Sequence, residues 1–114
     1  MEVAIDLAQR VLSRASTAYE CGLAHNDIGI ALSILGERES GTERLEQAVT
    51  AYKTAMQYWV QKRLQLNWAA LQNNLGNALQ TLGKRDSDTA RLEQAVAAYE
   101  VALQERTQER VPLD

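Results

Sequence analysis

Phenylalanine is absent from this 114-residue chain, and cysteine, histidine and proline each occur once. A single thiol, Cys21, excludes a disulfide within the chain and gives no sign of an oxidising compartment. One histidine, His25, leaves no His/Cys set that could complete a zinc site. Aromatic residues make up 5% of the sequence, whereas alanine and leucine abound. That balance suits helices packed through small side chains and disfavours a β-sandwich, which draws on Val, Ile and aromatic residues. Basic residues are not in excess either: a net charge of −3 and a pI near 5.2 leave no broad surface for neutralising phosphates. Nucleic acid and acidic membranes are therefore not the expected partners. Charges interrupt every hydrophobic stretch well short of a membrane span, and Met1–Leu7 lacks a basic segment followed by an apolar core. The chain reads as cytoplasmic. No Gly-rich phosphate loop, nucleophile motif or recognisable pair of catalytic carboxylates appears, so no enzyme, cofactor or metal is expected.

What the chain does contain is a statement made nearly twice. Asn26-Asp27-Ile28-Gly29-Ile30-Ala31-Leu32 returns 47 residues later as Asn73-Asn74-Leu75-Gly76-Asn77-Ala78-Leu79, and Arg44-Leu45-Glu46-Gln47-Ala48-Val49 returns as Arg91-Leu92-Glu93-Gln94-Ala95-Val96. Across Asn26–Asn67 and its copy, 22 of 42 positions are identical. A repeat at this period indicates stacked supersecondary units rather than one domain around a single pocket.

Hydrophobic spacing predicts about five helices. The first covers Glu2–Ala15, and the second covers Ala18–Leu35 with Gly36 as a left-handed cap. The third starts near Thr42, capped by Ser40 with Glu43 or by Thr42, and runs about 20 residues to a stop between Arg63 and Asn67. The fourth covers Trp68–Leu82, followed by Gly83 and the polar linker Lys84–Asp88. The fifth covers Thr89–Arg110, with Pro112 beyond it. Setting Glu2-Val3-Ala4-Ile5 against Glu46-Gln47-Ala48-Val49 makes the first helix a worn copy of the third. One domain spanning 1–114 results: a second-type helix over 1–17, one unit over 18–66 and another over 67–114.

These residues resemble the tetratricopeptide repeat family, whose units are antiparallel helix pairs marked by Leu-Gly in the first helix and Ala, an aromatic and Ala in the second. Leu75-Gly76, Leu79, Ala95, Tyr99 and Ala102 fill those positions in one copy, and Ile28-Gly29, Leu32, Ala48, Tyr52 and Ala55 fill them in the other. The period of 47 exceeds the family's usual period of about 34. His25 and Gln72 stand where the family has Trp, and Leu32 and Leu79 where it has Tyr. The chain thus looks like a long-period, bacterial-type variant. The resemblance implies an all-α fold, an α-solenoid with a right-handed superhelix, and non-catalytic binding of a protein or peptide on the concave first-helix surface.

Asn26, Asp27, Asn73, Asn74 and Asn77 are the candidates for that surface, because each Asn amide donates and accepts at once and a ladder of them suits an extended backbone. The same side chains could instead cap or bridge neighbouring helices. No Lys or Arg lies over Glu20–Leu35 or Trp68–Leu82, which speaks against a clamp for a C-terminal carboxylate. Tyr58 and Trp59 replace Glu105 and Arg106 of the other copy and join the candidates as an aromatic pair. Trp59 and Trp68 flank the turn between units, as staples or as interface anchors, with Trp68 expected to lie deeper. Cys21 and His25 share a helix face, but as a packed thiol and a bonded ring. Arg44 with Glu46 and Arg91 with Glu93 read as solvated pairs or as bridges to the linker. The uncovered stripe of the last helix adds an alternative function, self-assembly into a homo-oligomer by end-to-end stacking or helix exchange.

Overall fold

The computed structural model describes residues 2–14, 17–59 and 65–110, with side chains over 2–14, 17–59 and 68–104. Five helices and no strand occupy the described residues: α1 (Glu2–Arg14), α2 (Ala18–Arg38), α3 (Glu43–Tyr58), α4 (Gln65–Asp86) and α5 (Thr89–Arg110). Thr17 starts α2 through a reciprocal cap, its Oγ1 accepting from the Glu20 N–H at 3.1 Å while its own N–H donates to Glu20 Oε1 at 3.2 Å. Two orphan amides are satisfied by one Thr-x-x-Glu motif.

The expected ends of the helices need correction at several places, and at Gly36, Gly83 and Trp59 the reason is tertiary packing. Gly36 does not cap α2, and Gly83 does not follow α4; both lie within helix, and no described glycine has a positive φ. They are glycines because a leucine presses on them: a Cβ would sit 2.7 Å from Leu45 Cγ at Gly36 and 2.7 Å from Leu92 Cδ2 at Gly83. The polar linker after α4 accordingly shrinks to two residues. Ser87 takes the left-handed conformation, φ 52°, and Asp88 Oδ1 accepts from the Ala90 N–H at 3.0 Å to begin α5. At α3 the residue before the helix is Thr42, whose side chain makes no capping bond, so the Ser40–Glu43 box does not form. The α3 helix has 16 residues and stops at Tyr58, short of the expected 63–67. Trp59 leaves helical geometry there, with φ −107° and ψ 39°, and its ring turns back under α2. The expected bounds of α5 match, while Pro112 lies outside the described residues.

Each helix packs on the next in sequence, and α2 also touches α4, giving a slab of 49 × 38 × 18 Å. Its core runs along the seam of α2, α3 and α4, where Leu45, Ala48, Ala55, Leu71 and Leu82 are fully buried. The 47-residue echo is reproduced in contacts. A Cβ on Gly29 would meet the Tyr52 ring at 2.5 Å, and one on Gly76 would meet the Tyr99 ring at 2.8 Å. The Tyr52 hydroxyl lies 3.2 Å from Ser33 Oγ, and Tyr99 donates to Gln80 Oε1 at 2.9 Å, the equivalent position. Within each unit, then, the second helix lays a tyrosine on the glycine of the first, which is what lets the two backbones approach closely.

Candidate functional site

The first helices of the two units, α2 and α4, bring most of the amide candidates together. Asn74 Nδ2 donates to Asn26 Oδ1 at 3.3 Å, joining the two helices directly. Asn77, one turn further along α4, accepts through Oδ1 from the Tyr99 hydroxyl. Asn73 is half-buried beside this row. The internal bonds use one donor of Asn74 and one acceptor site of Asn77, so each amide keeps hydrogen-bonding capacity for a further group. Asp27 sits apart, on the side of α2 that faces α1. It borders Ile30 and Ile34, and although its side chain is exposed by area, that apolar setting pushes its carboxyl above the usual carboxylate range.

Sequence reasoning did not foresee how the units are tied. Arg91 of α5 reaches Glu46 of α3 through a single nitrogen, Nη2, which donates to both carboxylate oxygens at 2.8 and 2.7 Å across the junction. Arg44, 47 residues earlier, reaches Glu2 of α1 at 3.4 Å. Glu2 is the residue that the alignment of α1 on α3 sets against Glu46, so the same arginine-to-preceding-glutamate contact occurs twice. Arg85, at the end of α4, donates to the carbonyls of Gly36, Gly41 and Glu37 at 2.8, 2.8 and 3.1 Å and closes the α2–α3 loop over the next unit. The recurrence of Arg38 and Arg85 was a visible signal for such a role, but it did not name the acceptors.

The aromatic candidates divide. Trp59 is 3% exposed, stacks on Tyr19 with ring centres 5.9 Å apart, and donates from Nε1 to the Tyr19 carbonyl at 3.2 Å. Its ring covers Gly22, so it fastens the end of α3 to the start of α2 within one unit. Trp68 is the less buried of the two tryptophans, the reverse of the expectation, because the α3–α4 groove leaves one side of it open. Tyr58 remains 41% exposed and stacks on His25 at 5.7 Å. Burial holds the His25 imidazole below its usual pKa, so the ring favours its neutral form. Cys21 is half-buried and free, and no cluster of His, Cys, Asp or Glu among the described residues could hold a metal ion.

Two sets of grooves flank these residues. One of ≈ 380 Å³ lies between α1 and α2, walled by Leu7 and Val11 on one side and by Ile30 and Ile34 on the other. The others share Lys53 and Leu75: one of ≈ 370 Å³ lies on the α3–α4 seam, and one of ≈ 230 Å³ lies where α3, α4 and α5 meet, with Gln94 and Ala98 in its wall. No described helix is long and apolar enough to cross a membrane. Residues 68–109 match the family model of the tetratricopeptide repeat. No curated protein and no solved structure gives a significant match.

Proposed function

We propose, from the premise that residues 68–109 are a tetratricopeptide repeat, that the chain is a non-catalytic protein-interaction module that holds an extended peptide or a helix along α2 and α4. Repeats of this family generally mediate contacts between proteins, and the juxtaposition of Asn74 with Asn26 carries the assignment of the surface. Amides from two units meet there, with Asn73 and Asn77 alongside, and offer donors and acceptors at the spacing of stacked helices rather than of one helix turn. Asp27 and Tyr58 extend the surface toward α1 and toward the end of α3. Trp59 serves it indirectly, by fixing the helix end that presents Tyr58. A cytoplasmic location accords with the single unpaired cysteine.

A peptide-display selection on the folded chain, followed by titration of a selected peptide, tests this reading. Replacing Asn74 and Asn77 together with alanine should weaken binding about tenfold, since each lost bond contributes about 0.5–1.5 kcal/mol. Helicity should be unchanged. Peptides that bind with undiminished affinity to the double variant would place the site elsewhere.

A second reading, self-assembly, is favoured by one observation. Val49 of α3 is 6% exposed within the core, whereas its equivalent on α5, Val96, is 56% exposed, and Leu103 of α5 is 66% exposed. Another stripe of this kind lies on α1, where Val3, Leu7 and Val11 are all more than half exposed. Apolar stripes on both outer helices are what an assembling module would present.

A further inference from the structure

We infer that the exposed face of α1 is a homodimer interface, on which α1 of a second copy lies antiparallel about Leu7. The inference rests on the self-assembly reading and names its surface and its partner. The face is a stripe of Val3, Leu7 and Val11, four residues apart and 72%, 54% and 55% exposed. Beside the stripe runs the ≈ 380 Å³ groove, with Ile30 and Ile34 of α2 as its far wall.

Three observations select a second copy as the occupant. The stripe is its own complement, because an antiparallel copy centred on Leu7 sets Leu7 on Leu7 and Val3 on Val11. A two-fold interface requires self-complementarity of this kind. The charges agree: Glu2 and Asp6 lie at one end of α1, and Arg10 and Arg14 at the other. Glu2 also meets Arg44 at 3.4 Å and Asp6 meets Arg10 at 3.2 Å within the chain, but these are exposed single contacts that leave hydrogen-bonding capacity for the bases and acids of a copy. Antiparallel pairing therefore brings acids to bases, while a parallel pair would set like on like. Finally, α1 is poorly matched to a further first-type helix. On α3 and α5 a tyrosine covers the glycine of such a helix, at Gly29 and Gly76. The α1 residue aligned with Tyr52 is Ala8, which would leave that glycine facing a gap. The bulk on α1 stands instead at Leu7 and Val11, aligned with Ala51 and Ala55. These larger side chains suit interdigitation with their own kind along rows spaced by four.

The test uses light scattering and sedimentation on the whole chain over a wide concentration range, with Leu7→Glu as the probe. Leu7 is half-exposed, so the variant should keep its helicity. The wild-type chain should form a dimer, and Leu7→Glu should weaken it roughly a hundredfold by placing two carboxylates on the axis. In a Cys21→Ser background, Leu7→Cys should form a disulfide with its own copy under mild oxidation, and Leu103→Cys should not. A strictly monomeric wild-type chain would overturn both this interface and the self-assembly reading. A dimer that survives Leu7→Glu and cross-links through Leu103→Cys would overturn the α1 interface alone, moving assembly to α5.

Discussion

Gly76 shows how much of this fold depends on single side chains, and it sets two local effects against each other. In an exposed helix interior, alanine is preferred over glycine by about 1 kcal/mol. At Gly76 the added methyl would lie 2.8 Å from the Tyr99 ring, and overpacking of that order costs about 1–3 kcal/mol. The ring is held by bonds to Asn77 and Gln80 and cannot swing aside freely, so overpacking wins. Gly76→Ala should therefore lower the urea midpoint without changing the slope, and a raised midpoint would refute the close-approach account. His25 allows a second residue-scale prediction, because it is the chain's single histidine and gives one unambiguous titration. Burial lowers its pKa in the folded state, so the unfolded chain binds the proton more readily. Stability should be fully present above the ordinary imidazole value of about 6.5 and should fall as pH drops through that value toward the folded pKa. Proton NMR should place the imidazole below 6.5, and Tyr58→Ala, which strips its stacked neighbour, should move it back up. The glycines were legible as repeat markers but not as contact points. Their meaning depends on residues between 9 and 37 positions away, as with Gly36 and Leu45 or Gly22 and Trp59, and a sequence shows the glycine without showing what presses on it.

At the scale of helices and their junctions, the sequence is legible in number and order but not in where elements stop. Five helices follow from apolar spacing, which is local information. The end of α3 does not, because no Gly or Pro stands near Tyr58. What ends the helix is Trp59 packing on Gly22, 37 positions earlier in the chain. Asn74 and Asn26 were legible as candidates through repetition, yet their direct bond depends on how two helices stack, which a linear pattern does not carry. Arg85 gives the sharpest prediction at this scale. Its guanidinium satisfies two carbonyls at the end of α2, Gly36 and Glu37, and one in the α2–α3 loop, Gly41, and its planar fork is what spans them. Arg85→Ala should destabilise by about 1–3 kcal/mol, and Arg85→Lys should recover only part of that, since one ammonium cannot reproduce the fork. A full rescue by lysine would mean that charge alone matters. The Arg91–Glu46 pair should show the weaker effect. Its partners are 24% and 45% exposed and only one guanidinium nitrogen is engaged, so a double-mutant cycle should return a coupling of about 1 kcal/mol or less.

For the molecule as a whole, burial is graded along the stack. Ala8 is the single fully covered residue of α1, whereas Leu45, Ala48 and Ala55 of α3 and Ala69, Leu71 and Leu82 of α4 are completely buried. A helix held by so little surface opens at low free energy, independently of the rest. Native-state hydrogen exchange on a dilute sample should therefore find α1 amides exchanging by local opening, while those of α3 and the middle of α4 wait for global unfolding. Mass action then ties this gradient to assembly. A partner that binds only the closed α1 protects it in proportion to its own concentration. If α1 is the dimer face, its protection should rise as the chain is concentrated, that of α3 should rise less, and Leu7→Glu should abolish the dependence. If α5 is the face instead, the concentration dependence should appear around Val96 and Leu103 and leave α1 unchanged. Protection of α1 equal to that of α3 at high dilution would refute the graded stack itself, because it would require α1 to be held by contacts that its exposed stripe does not make.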